Sequence, residues 1–442
     1  MSARTTVPVL TAIAIAATVT LAQEPGPAPA PTTYAIRGAR IVSLAGAPIE
    51  RGTIVISDGR IAAVGAEAPI PQGAEVIEGN GLQVSPGLFD AISSLGLTEV
   101  DAVAATNDFE ELGDFNPQLI AGQAVHPASE HVPVARANGL THALSVPGIG
   151  ESSVIPGQAS AIHLAGWTIE EMLLSRSVAL VVNWPTYQAA DDAPGPQSER
   201  ERSFSEAKKA HDEKVRQLGD WLEQARHYGA AIEKGSRERV SRDLKLEALV
   251  PVTRGELPVL VNADREREIE EAIEFCKAQK IRMILAGGAE AYKVTELLAA
   301  NKVPVVLGPI QSLPSSEDEP YDIRNTTPAV LHEAGVRFAL GTFNSADSRT
   351  LAYEIGNAVT YGLGWEAALE AITKAPAEIF GLADQVGTLE VGKIGNVIVT
   401  DGDPLEIQTA VKYLFINGRL TSLANRHLRL YEQYRARPKP TR

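Results

Sequence analysis

Eight apolar runs of strand length, set apart by loops and helical patterns, constrain this 442-residue chain more than any other feature. They read LQVSPGLFDA, GLTHALSVPG, ASAIHLAG, SVALVVNW, LPVLVNAD, IRMILAGG, VPVVLGPI and VRFALGTF. A strand that is apolar on both faces is covered on both, and alternation with helices is the pattern of a parallel sheet wrapped by them. Eight such units predict the α/β class and a TIM-type (β/α)8 barrel over residues 84–386, with an open α/β sheet as the alternative. The third run fits least well, because VPGIGESSVIPGQ before it leaves no room for a helix.

The flanks read differently. YAIRGARIVSL, GTIVISDGRIAAVG and AEVIEG, at 33–83, alternate and turn through Asp-Gly, and the same texture returns in GTLEVGKIGNVIVTDGDP and VKYLFINGRLTS at 387–424. Together they predict a small β-sandwich domain formed from both ends of the chain. An insertion at about 186–245 carries Val215, Leu218, Leu222 and Ala225 at helical spacing, which predicts an amphipathic helix on the barrel's flank, with a cap or a subunit contact as the alternative. The tail at 425–442 is basic; it is either solvated or docked on an acidic surface.

Residues 1–22 have a charged start, an apolar stretch and a small-residue end before the proline-rich segment 23–32. This is the pattern of a cleaved secretory signal peptide, so the expected location is exported, periplasmic or secreted, with no membrane association after cleavage. Net charge is -15, which argues against a nucleic-acid partner. Cys276 is the single cysteine; it lies on the apolar stripe Ile269, Ala272, Ile273, and burial is favoured over a nucleophilic role.

VSPGLFDAISSLGL resembles the first-strand signature of the amidohydrolase superfamily, in which Asp-x-His-x-His follows Pro-Gly. TKAPAEIFGL and GTLEVGKIGNVIVTDGDP resemble its later segments, above all in the imidazolonepropionase- and prolidase-like branch, and the likeness runs over residues 33–424. The resemblance implies hydrolysis of C–N bonds by one or two divalent metals, zinc among them, held by two first-strand histidines, histidines ending strands five and six, and an aspartate ending strand eight. A metal in such a site activates a water and polarises the carbonyl.

In this sequence the implied ligand positions hold Ile92 and Ser94, then Asn262, then Gly287 or Gly288, then Phe343, while Asp90 is retained. None of these five is a good zinc ligand. Among the histidines, His142 and His163 lie inside runs two and three, and His126 and His131 lie in a loop. Asp90, Asp264 and Asp347 are the weaker candidates for a relocated or atypical catalytic site, although Asp264 and Asp347 stand where the following helices need an N-cap. The expectation is an exported amidohydrolase-fold protein with no metal, acting as a binding protein or as a partner subunit of an active relative, in a homo- or hetero-oligomer. Ile92, Ser94, Asn262, Gly288 and Phe343 would then line a vestigial cavity. The alternative is an active amide or peptide-like hydrolase with relocated ligands and a divalent metal.

Overall fold

A computed structural model describes residues 33–187, 204–233 and 241–438. The expected signal peptide at 1–22, the proline-rich segment, residues 188–203 and 234–240 of the insertion and the last four residues of the tail lie outside the described residues.

The chain first lays down β1 (Tyr34–Ile41), β2 (Ile49–Ser57), β3 (Arg60–Gly65), β4 (Glu75–Glu78) and β5 (Gln83–Pro86). The barrel strands follow: β6 (Leu88–Ser93), β7 (Leu140–Ser145), β8 (Gly157–His163), β9 (Leu173–Asn183), β10 (Val259–Ala263), β11 (Met283–Gly287), β12 (Val305–Leu307) and β13 (Phe338–Leu340). Then β14 (Val397–Thr400), β15 (Val411–Ile416) and β16 (Arg419–Leu420) return to the first sheet, in the order β16-β15-β14-β5-β1-β2-β3, with β4 paired to β1. The two ends of the chain meet where β14 runs antiparallel to β5. Left-handed turns at Asp58-Gly59 and Asn417-Gly418 close the β2–β3 and β15–β16 hairpins. These turns abut so closely that a Cβ on Gly418 would lie 2.5 Å from the Gly59 Cα.

All eight apolar runs become strands, in sequential order β6 to β13, in a sheet nearly closed into a barrel. One of them departs from the expected direction: β8 is antiparallel to both β7 and β9, and the other neighbouring pairs are parallel. The reason is length. A parallel connection needs a dozen or more residues, usually with a helix, whereas a reversal needs only a loop.

Alternate strand residues face the inside. Leu260, Ile284, Ala286, Val306 and Ala339 join Phe89, Ile92, Leu144 and Val181 in one buried cluster, while Val259, Leu285, Val305 and Phe338 pack into the larger cluster outside. The barrel is therefore filled with apolar side chains. Leu218, Leu222 and Ala225 of the helix Phe204–Glu233 are buried in that outer cluster, so the insertion's stripe packs on the flank. Cys276 is buried there too, and burial pushes its thiol up to about 12. No helix among the described residues is long and apolar enough to cross a membrane.

Candidate functional site

The mouth of the barrel lies at the C-terminal ends of its parallel strands. There β6 and β13 are joined without a regular ladder. The Asp90 carboxylate accepts from the Thr342 N–H at 3.0 Å and hydroxyl at 2.6 Å and from the Ser348 hydroxyl at 2.8 Å, and the Phe343 N–H donates to the Ile92 carbonyl at 2.8 Å. Burial raises the Asp90 carboxyl to about 6, against the opposing pull of these hydrogen bonds. Asp90 is thus occupied as the clasp of the barrel seam.

Behind it, Glu354 of the helix Leu351–Thr360 is buried and raised to about 7. Burial is the main cause, reinforced by the nearby charges of Asp90 and Asp347 and opposed by the hydrogen bond from the Thr350 hydroxyl. Its Oε2 has no hydrogen-bond partner among the described residues.

Ile92 is fully buried. Phe343 is half-buried against the inner cluster, with φ +58°, a left-handed conformation uncommon for a bulky residue. Its ring adjoins Gly308, where an added Cβ would sit 3.9 Å from the Phe343 Cε2 and 3.8 Å from the Gly287 Cα. Gly287, at φ +83°, breaks the strand's alternation: a Cβ there would point at Asp264 Oδ1 (2.6 Å) and Asn262 Oδ1 (3.2 Å). A Cβ on Gly288 would instead face Ala291, Leu285 and Val305 in the outer layer. The strand-six position at the mouth is therefore Gly287, and Gly288 is turned away because the left-handed residue before it flips the pleat. Ser94 follows the end of β6, and its carbonyl accepts from the Leu97 and Thr98 N–H groups of a turn.

Ile92, Phe343, Gly287, Asn262 and Asp264 are therefore brought together in a chain of contacts. Sequence reasoning missed Asn183, at the end of β9. Its Oδ1 accepts from the Gly150 N–H at 2.9 Å, and its Nδ2 donates to the carbonyls of Gly148 (2.7 Å) and Ser153 (2.9 Å). This side chain fastens the loop after β7 beside Asn262, and Ile149 of that loop packs against the inner cluster. The available signal was a polar residue closing an apolar strand run.

Two capping expectations are corrected. The helix Glu266–Gln279 has Arg265 as its N-cap residue, with the Glu268 carboxylate accepting from the Arg265 N–H, while exposed Asp264 accepts from the Ala289 N–H at 3.1 Å. Asp347 is the first residue of a 3₁₀ turn, and the acceptor there is Asn344 Oδ1, which binds the Ala346 and Asp347 N–H groups. In both places the start of the helix is shifted relative to the acid, so the carboxylate does not reach the first orphan donors.

The histidines do not gather at the mouth. His142 and His163 pair across β7 and β8, near the start of β7, with both Nδ1 atoms facing the Asn396 Nδ2 at 3.4 and 3.3 Å. Asn396 Oδ1 already accepts from the Asn417 N–H, so its amide presents donors to both rings, and His142 Nδ1 lies closer still, 2.6 Å, to the Thr141 hydroxyl. Burial pushes both imidazoles below their usual range, His163 to about 4. His131 lies 2.9 Å from the Glu99 carbonyl, and His126 is exposed. Among the described residues, no three His, Cys, Asp or Glu side chains are grouped so as to hold a metal ion. The residues at the implied ligand positions, an isoleucine, a serine, an amide, a glycine and a phenyl ring, do not fit a divalent cation.

Residues 259–423 match the Amidohydrolase family. An amidohydrolase of known structure from Thermotoga maritima MSB8 superposes with a TM-score of 0.76 at 25% identity, covering 88% of this chain and 99% of that one. Molinate hydrolase (TM-score 0.55, 17% identity, 93% of this chain and 99% of its own) and a prolidase complexed with n-methylphosphonate-L-proline (0.52, 17%, 88% and 99%) share the fold. Amidohydrolase tasK of Hapsidospora irregularis is 23% identical over 393 residues, or 84% of this chain. The chain spans about two fifths of the length of that curated relative, 39%.

Proposed function

Starting from a chain that belongs to the amidohydrolase superfamily, we propose that this member is non-catalytic, serving as a binding protein or as the partner subunit of an active relative. One observation carries the reading: the first- and last-strand positions where the superfamily places metal donors hold Ile92 and Phe343, which join to each other and pack with the barrel's apolar filling. A hydrolase of this type depends on a cation to generate its nucleophile near neutral pH, and that requires about three good donors and an open position. Asp90, the retained acid, is held by three hydrogen bonds from Thr342 and Ser348.

Metal analysis tests the proposal. Protein incubated with zinc or manganese and freed of excess ion is expected to retain far less than one equivalent per chain. One tightly held equivalent, together with turnover of an amide or dipeptide panel, would establish the active-hydrolase reading with relocated ligands such as Asp264. Export is part of the proposal and rests on the pattern of residues 1–22. Amino-terminal sequencing of protein recovered from the native host checks it, the expected start lying shortly after residue 22.

A further inference from the structure

The helix Arg426–Arg435 has no buried residue. It is capped by the Asn425 side chain, which accepts from the Leu428 N–H, and tied to the body by Arg429, whose guanidinium donates to both oxygens of Glu130 at 3.1 and 3.2 Å. Leu428, Tyr431 and Tyr434 recur at helical spacing along one side and are 51%, 58% and 51% exposed. Arg435 and Arg437 lie over the Tyr431 and Tyr434 rings. A ten-residue helix is marginal in water, and helices of this length draw most of their stability from packing an amphipathic face. Among the described residues this one buries no face, with Leu430 alone half-covered.

Beside it lies a surface of opposite character. Residues 99–114 contain Glu99, Asp101, Asp108, Glu110, Glu111 and Asp114 and no lysine or arginine. All but Glu99 are exposed, and none forms an ion pair among the described residues. Val100, Val103 and Leu112 are interspersed at 51%, 46% and 97% exposure. The two surfaces meet at the Glu99 end of the segment, where Glu99 Oε2 accepts from the N–H of the same Glu130 that holds Arg429.

We infer that two copies of this chain pair about a two-fold axis, the basic, tyrosine-faced helix Arg426–Arg435 of each resting on the acidic segment 99–114 of the other. Charge complementarity selects this occupant. The tail 426–442 carries six basic residues and one acid, net +5, leaving -15 - 5 = -20 on the remainder. An isologous interface needs both complementary patches on one face of a single chain, and this face has them. An anionic membrane or a nucleic acid would attract the helix but be repelled by the acidic segment next to it. The inference is independent of whether the barrel is catalytic.

The test is a charge swap read by light scattering after gel filtration. One full-length variant carries R426E, R435E and R437E; a second carries D101K, E110K and E111K. Wild-type protein at tens of micromolar is expected to be a dimer in low salt and to dissociate in about 0.5 M NaCl, where exposed charges are strongly screened. Each variant alone is expected to be a monomer, and an equimolar mixture is expected to restore the dimer, since both of its interfaces again join opposite charges. The mixture also guards against misfolding, because a damaged helix would not be rescued. A wild-type monomer at low salt, a dimer indifferent to both variants, or monomeric protein that instead binds vesicles of anionic lipid would overturn the inference.

Discussion

The Phe343 N–H donates to the Ile92 carbonyl across 2.8 Å, so the two residues at the positions where the family resemblance implies first- and last-strand ligands are bonded to each other through their backbones. Phe343 adopts its left-handed conformation in making this bond, with its ring beside Gly308 and Gly287.

That conformation separates two substitutions that remove the same ring. Phe343→Ala keeps a Cβ at φ +58°, while Phe343→Gly removes it. The glycine variant is expected to be more stable than the alanine variant by about 1 kcal/mol, the usual cost of a left-handed non-glycine residue. Urea denaturation of the two variants measures the difference, and equal midpoints would mean the backbone bond to Ile92 does not impose the conformation.

Adjacent glycines on β11 provide a second contrast. Gly287→Ala places a methyl 2.6 Å from Asp264 Oδ1 at φ +83°, whereas at Gly288, φ +65°, the nearest atoms are 3.3 Å away. Both changes strain the backbone, but only the first also displaces a carboxylate. That carboxylate ends an exposed side chain and can swing aside, losing its hydrogen bond from the Ala289 N–H, so the first change is expected to cost about 1 kcal/mol more, the net worth of one hydrogen bond. Thermal melts of the pair decide whether Gly287 is the residue at the mouth.

Asn183 holds its loop with three hydrogen bonds. Asn183→Ala leaves the Gly150 N–H and the Gly148 and Ser153 carbonyls to find other partners, at an expected cost of about 2–3 kcal/mol, and it frees the loop locally. Hydrogen exchange should show the Gly150 amide losing protection well before the strands do. Unchanged protection there would mean that other contacts hold the loop.

Glu354 and Asp90 make stability depend on pH. Each carboxyl binds its proton more tightly in the folded chain than in the unfolded one, so the stabilisation is complete in acid, below the ordinary carboxyl range. It is lost as pH rises through about 6 for Asp90 and about 7 for Glu354. The shift from 4.5 to about 7 corresponds to about 3 kcal/mol for Glu354. Unfolding free energy is expected to fall between pH 5 and pH 8, and Glu354→Gln is expected to flatten much of that slope. A variant as pH-sensitive as wild type would assign the dependence elsewhere.

Much of the fold was legible because the signals were long and periodic. Each apolar run became a strand, and Asp-Gly and the β-type flanks marked the second sheet. Strand direction was not legible at ASAIHLAG, since a symmetric apolar run carries no sign of its own orientation; only the short preceding loop hinted at it. Around the mouth, spacing pointed to Ile92, Asn262 and Phe343 but left strand six open between Gly287 and Gly288, because a left-handed glycine breaks the period on which the reading depends. The clasp of Asp90 by Thr342 and Ser348 was invisible, because its partners lie about 250 positions away in sequence, at separations of 252 and 258.

The reversal of β8 bears on how the chain reaches this state. The meander β7-β8-β9 joins strands that are neighbours in sequence, so little loop entropy is spent in forming it, whereas the clasp must bring together segments from opposite ends of the barrel. Refolding followed by pulsed deuterium labelling should therefore find the meander guarded early and the Thr342 amide last. A cylinder assembled in that order passes through an open, curled ribbon whose two exposed borders are its moment of greatest danger of aggregation.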